Sequence, residues 1–220
     1  MKRIGVLASG GGSNVGALLD YFDDHPGVAR VAVVASNKKE AGALARASER
    51  RVPATTLADP DDGAALVRLL QSHEVDILVL AGYLKLVPMQ VTVRYGGATV
   101  NVHPALLPYH GGPGMYGIRV HRAVLAKNES ESGATVQFVD AQYDHGAPIA
   151  WGRVPVEPGD TPESLAARVL VAEHFVLPRV VHALAIGAIR LAGSGAVIVT
   201  NAAAPLFDSP PPNVGVRLAG

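Results

Sequence analysis

Arg3-Ile4-Gly5-Val6-Leu7-Ala8-Ser9-Gly10-Gly11-Gly12-Ser13-Asn14 is a short apolar run that breaks into three glycines and passes straight into a helix-type segment. An almost uninterrupted apolar run of this length suits a strand covered on both faces, as in a parallel sheet. From Asn14 to Phe22 the pattern changes, with Val15, Leu18, Leu19 and Phe22 at helical spacing. Further strand-type runs cover residues 31–36, 54–57, 76–80 and 98–102, with helix-type stretches at 41–50 and 64–72 between them. This alternation predicts an α/β fold, a doubly wound and mostly parallel sheet.

Beyond residue 130 the alternation stops. Residues 133–139 and 148–156 read as a strand pair flanking the loop Asp140-Ala141-Gln142-Tyr143-Asp144-His145-Gly146. Thr161-Pro162-Glu163 then starts a long helix: Thr caps, Pro suits the first turn, and Glu complements the positive end of the dipole. That helix is expected to run towards Ala185, disturbed near Pro178, and to stop at Gly187. The expected organisation is a domain over 1–192 and a tail over 193–220. Because it contains Ser209-Pro210-Pro211-Pro212, the tail reads as an extended or loose arm.

Composition limits what such a domain does. With 49% hydrophobic and 17% charged residues, the chain has the makings of a packed core. Nineteen basic residues balance nineteen acidic ones, which argues against a dedicated nucleic-acid binder. There is no cysteine, so neither a disulfide nor a thiol nucleophile is available. No apolar run approaches the roughly 18 residues of a membrane span. The first apolar run ends in glycines without a cleavage pattern, and a soluble cytoplasmic protein is the expectation.

The glycine run is the first candidate site. Glycines let backbone approach a ligand, and the helix behind them offers free N–H groups and a positive dipole end. Ser13 is expected to cap that helix. Gly12, Ser13 and Asn14 thus read as a cradle for one phosphate, the competing reading being a tight turn that binds nothing. The spacing matches neither a Walker loop nor a dinucleotide fingerprint.

Asn101-Val102-His103-Pro104 is the second. Two-residue periodicity puts Asn101 and His103 on one side of a strand end, an amide and an imidazole suited to holding an oxyanion and moving a proton. His110, His121 and His145 read as structural residues. Asp144 alone reads as a turn aspartate; it becomes catalytic if its loop folds over His103, where it is expected to raise the histidine pKa and order a water. Glu173 alone reads as a solvated helix carboxylate.

Taken in order, these strings resemble the folate-dependent phosphoribosylglycinamide formyltransferases of purine biosynthesis. The resemblance runs from Arg3 to about Leu191. It is carried by Gly10 to Asn14, Leu80-Ala81-Gly82-Tyr83-Leu84-Lys85-Leu86, Asn101-Val102-His103-Pro104-Ala105-Leu106-Leu107-Pro108, Gly133-Ala134-Thr135-Val136-Gln137-Phe138-Val139, Asp144 with Gly146, and Ala172-Glu173-His174. It implies the formyltransferase fold, with 10-formyltetrahydrofolate as co-substrate, no metal, small-molecule partners only, and a monomer or homodimer.

The resemblance assigns the phosphate to Gly12, Ser13 and Asn14 and the ribose to Glu173. The folate pocket falls to Leu84, Lys85, Leu86 and Val87 and to Val139, Asp140, Ala141, Gln142, Tyr143 and Asp144. Asn101, His103 and Asp144 are the catalytic set, with Asn101 also touching the folate. The alternatives are a formyltetrahydrofolate deformylase or a non-catalytic sensor on the same fold; intact Asn101, His103 and Asp144 argue against a sensor.

Four features depart from the family pattern. Gln137 stands where many relatives have His and is expected to be neutral. Ala147-Pro148 replaces Gly-Pro, and the loop 111–117 differs from the shorter loops of many relatives. The acidic stretch Ala58-Asp59-Pro60-Asp61-Asp62 replaces a basic residue used by some relatives for the folate glutamate tail.

Overall fold

The computed structural model describes residues 1–219. The strands are β1 (Lys2–Ala8), β2 (Ala29–Ser36), β3 (Ala54–Thr56), β4 (Ile77–Leu80), β5 (Thr99–His103), β6 (Glu131–Phe138), β7 (Pro148–Pro155), β8 (Ile189–Leu191), β9 (Val197–Val199) and β10 (Gly215–Leu218). The helices are α1 (Ser13–Asp24), α2 (Gly42–Glu49), α3 (Gly63–Ser72), α4 (Met89–Arg94), α5 (Ile118–Ala126) and α6 (Pro162–Ala185). Eight strands form one sheet in the order β10-β7-β6-β5-β4-β1-β2-β3. The five strands from β3 to β5 are parallel; β6, β7 and β10 continue the sheet antiparallel.

Alternation along β1 builds both sides of the molecule. Ile4, Val6 and Ala8 enter one apolar core with Val15, Leu18 and Phe22 of α1 and Leu165, Val169 and Val176 of α6. Leu7 enters the other, with Leu66 and Leu70 of α3 and Val91 of α4. Gly5 has to be small: a Cβ there would lie 2.9 Å from Cδ2 of Leu70, so its absence lets α3 lie close to the sheet. Each fully buried Leu or Ile contributes about 1.5–3 kcal/mol by leaving water, and the sheet has such residues on both faces.

After β3 the chain crosses the sheet to form β4, so strand order reverses between β1 and β4. Loops leaving the carboxyl ends of these two strands diverge and open a crevice, where open α/β sheets place ligands.

Four parts of the chain differ from expectation. The long helix is unbroken through Pro178, and the Arg179 guanidinium donates to the carbonyl of Phe175 at 3.0 Å beside it. Two helices, α4 and α5, were not legible: α4 has only six residues, and the buried stripe of α5 includes a histidine, His121. The tail is not a loose arm. Its first strand, β9, pairs with β8 just before the tail; a 3-10 turn, Ala204–Phe207, follows, Phe207 and Val214 are buried, and β10 then pairs with β7. Two apolar anchors and the open edge of β7 outweigh the prolines between them.

Candidate functional site

The glycine run joins β1 to α1, and Gly12 adopts a left-handed conformation, φ 75°, as the residue before the helix. Ser13 is the first helical residue rather than the cap, a correction to the expectation, and no side chain caps this end. The first-turn N–H groups lack carbonyls four residues back, as at any helix start. Gly12 also has a packing role, since a Cβ there would lie 2.5 Å from the Cα of Ala43 in α2. A Cβ on Gly10 or Gly11 would meet nothing within 4 Å. Helix α2 supports the turn: Ala43 N donates to Gly10 O at 3.2 Å and Arg46 Nε to Gly11 O at 2.9 Å.

Behind the glycines, Asn14 Nδ2 donates to Glu173 Oε2 of α6 at 2.5 Å, and Asn14 Oδ1 is buried without a partner. Glu173 is buried, which corrects its reading as a solvated helix residue. Burial pushes its carboxyl up to about 7, against the lowering effect of the Asn14 hydrogen bond. Ser9 ties the first loop to the one after β4, accepting from Leu84 N at 2.9 Å while donating to Asn37 Oδ1 at 2.6 Å.

At the end of β5, Asn101 and His103 face the loop after β6. Asp144, itself left-handed at φ 52°, enters this site from that loop. Its Oδ1 accepts from Asn101 Nδ2 at 3.3 Å and Gln137 Nε2 at 3.2 Å; its Oδ2 accepts from Gly112 N at 3.0 Å and lies 3.4 Å from His103 Nδ1. The other imidazole nitrogen, Nε2, lies 2.8 Å from the carbonyl of His110. A carbonyl only accepts, so Nε2 carries hydrogen and Nδ1 is the nitrogen left to exchange a proton with Asp144.

His103 is almost fully buried, and burial holds its imidazole below the ordinary 6.5. Asp144 and the His110 carbonyl pull upward, while the His110 side chain pushes down. The expected net rise is therefore reversed: desolvation exceeds the carboxylate's attraction.

One cavity of about 550 Å³ joins these parts. Of the residues singled out in the sequence, it is lined by Asn14, Leu84, Lys85, Leu86, Val87, Asn101, His103, Val139, Gln142, Tyr143, Asp144 and Glu173. Gly12 and Ser13 lie outside its lining. Asp140 is outside as well, accepting from His145 Nδ1 at 2.6 Å and Gln142 N at 2.8 Å. Ala141 lines a neighbouring groove with Leu86 and Gln90. Lys85 Nζ lies 3.5 Å from Asp61 Oδ2, so the acidic stretch meets the one cation of the 84–87 segment.

Four contributors escaped the sequence reading. Gln137 bonds Asp144 directly, and Gly112 does so from the loop 111–117. His121 lines the cavity with Nδ1 buried and unpartnered, its imidazole lowered first by burial and then by His103. Tyr83 also lines it, its buried hydroxyl unpartnered and pushed up to about 12 by burial, with smaller effects of Asp61 and Tyr143. Two-residue alternation along 133–139 was a usable signal for Gln137. What it lacked was the pairing of β5 with β6, which sets Gln137 opposite Asn101.

A doubly wound sheet presenting an Asn–His pair to a loop aspartate in one cavity is an arrangement suited to group transfer. A model of the family described as formyl transferase matches residues 2–181, and the chain belongs to that family. Among its relatives is the chloroplastic phosphoribosylglycinamide formyltransferase of Arabidopsis thaliana, 38% identical over 207 residues, 91% of this chain and 71% of that one. The phosphoribosylglycinamide formyltransferase of Haemophilus influenzae is 36% identical, over 87% of this chain and 91% of the relative. The crystal structure of glycinamide ribonucleotide transformylase 1 from Symbiobacterium toebii superposes with a TM-score of 0.84 at 36% identity, covering 91% of this chain and 95% of the other.

Proposed function

We propose that the chain transfers the formyl group of 10-formyltetrahydrofolate to the amine of 5'-phosphoribosylglycinamide, giving formylglycinamide ribonucleotide and tetrahydrofolate. The observation that carries this reading is the single cavity with the Asn14–Glu173 pair at its lining and the Asn101–His103–Asp144 set exposed to the same space. In this reading the α1 N-terminus holds the phosphate, with Gly12, Ser13 and Asn14. Glu173 accepts hydrogen bonds from the ribose hydroxyls. Residues 84–87 and 139–144 enclose the folate.

Attack of the amine on the formyl carbon creates an oxyanion. The second N–H of Asn101 Nδ2 meets it, joined by His103 Nδ1–H when the His103–Asp144 pair holds its proton. Asp144 and a water carry the amine proton to the departing folate nitrogen. The protein thereby supplies orientation of two substrates and fixed donors at the developing charge. The same reading has small-molecule substrates, no nucleic-acid partner, a monomer or homodimer, and a cytoplasmic location. No helix among the described residues is long and apolar enough to cross a membrane.

The test is mass spectrometry of the purified chain with both substrates. Formylated ribonucleotide with stoichiometric tetrahydrofolate is expected. Release of free formate with unmodified ribonucleotide would make it a deformylase, and binding without turnover a sensor.

A further inference from the structure

Gln137 is buried near the carboxyl end of β6, directly opposite Asn101 of β5 in the antiparallel register. Both amides donate to one oxygen of Asp144, Oδ1, while Gly112 N holds the other. The remaining polar atom of Gln137, Oε1, is buried with no partner. An orphaned acceptor in a core position is a cost that an apolar residue of the same size would not carry. The local gain that accompanies this cost is the bond to Asp144.

We propose that Gln137 is a positioning residue for the formyl transfer, holding the Asp144 carboxylate against His103. Asn101 has two amide hydrogens, one on Asp144 and one left for the substrate; what Gln137 adds is a second side-chain hold on the same carboxylate oxygen. With that second hold, Gln137 and Asn101 on one carboxylate oxygen and Gly112 on the other fix its orientation, and His103 Nδ1 faces a carboxylate that does not turn away. The inference rests on the proposed reaction for its kinetic consequence, but its structural consequence is independent of turnover. His103 faces Asp144 from the β6–β7 loop, His110 from its own loop and His121 from α5, and of these only Asp144 raises its affinity for a proton by its charge. Freeing Asp144 removes that attraction.

The experiment compares wild type with Gln137→Met, which keeps the volume and removes the donor, and Gln137→His, which restores an N–H donor. The first readout, without substrates, is the titration of the His103 ring protons by NMR. In Gln137→Met it is expected to move at least half a pH unit lower, and in Gln137→His to return towards wild type. The second is steady-state kinetics: kcat falls about tenfold or more in Gln137→Met, both KM values stay within about threefold, and Gln137→His recovers most of the loss. Circular dichroism monitors folding, and a misfolded Gln137→Met is replaced by Gln137→Leu. An unchanged His103 titration with kcat within twofold overturns the proposal. A shifted titration in a chain that forms no formylated ribonucleotide sustains the positioning role and overturns the reaction instead.

Discussion

The Asn101 amide already gives one hydrogen to Asp144, so in the proposed reaction its donor to the oxyanion is the other one. Asn101→Ala is expected to lower kcat about 100- to 1000-fold, some 3–4 kcal/mol of barrier, as when a single oxyanion donor is removed. A rise confined to KM would make Asn101 a binding residue. Glycine substitutions separate ligand from scaffold at the neighbouring loop. Gly11→Ala adds a methyl into open space, so unfolding temperature is expected to stay near wild type while calorimetry reports weaker ribonucleotide binding and unchanged folate binding. Gly12→Ala combines a positive φ with a contact of 2.5 Å to Ala43 Cα, and is expected to lower stability itself. Equal thermal loss in both variants would remove the distinction. The need for Gly12 could be anticipated from the strand-to-helix turn, but its contact with Ala43 could not, because that neighbour comes from a helix some thirty residues away. The same holds for Gln137, whose partner is set by strand register, and for Glu173, whose burial depends on α1 packing against α6.

Elements whose signal is local were legible with small boundary shifts: β1, the α1 stripe, and the Thr161 cap, where Thr161 Oγ1 accepts from Ser164 N at 3.2 Å; the reciprocal bond, Thr161 N to Ser164 Oγ at 3.0 Å, was not foreseen. Besides α4 and α5, an element that was not is β10, because nothing in Gly215–Leu218 announces that the edge of β7 is free to receive it. What anchors it is Phe207, 7% exposed and part of the main core cluster. Phe207→Ala is expected to cost about 3 kcal/mol of unfolding free energy, the lower end for buried Phe truncation. Turnover at a temperature where the variant stays folded is expected to remain near wild type, since Phe207 lies outside the cavity lining. Urea titration with parallel assays reads both quantities. A loss below about 0.5 kcal/mol would return the tail to the status of a loose arm.

Across the whole molecule, burial acts on titratable groups in two opposite directions. His103, His121, His174 and His182 are all held below the ordinary 6.5, in each case first by burial. As pH falls through 6.5 the unfolded chain takes up protons on these imidazoles that the folded chain still refuses. Unfolding then absorbs protons, and stability declines with acidification from about 6.5 down through the lowered folded values. Glu173 works the other way: raised from 4.5 to about 7, it keeps a proton in the fold that the unfolded chain gives up, so its contribution grows as pH falls from 7 to 4.5. Four groups oppose one, and the urea midpoint is expected to fall between pH 6.5 and 5.5. Glu173→Gln removes the opposing contribution. It is expected to unfold at higher urea than wild type at pH 8, by up to about 3 kcal/mol for a shift of this size, and to lose stability more steeply on acidification. A flat or rising wild-type midpoint over that window would mean that Glu173 matches or outweighs the four imidazoles, and the Glu173→Gln variant would then show their contribution alone. Because one of the four is His103, which donates a proton in the proposed reaction, the alkaline limb of the rate profile and the acid loss of stability begin from the same desolvation. They separate only if activity is followed above the pH at which the midpoint starts to fall.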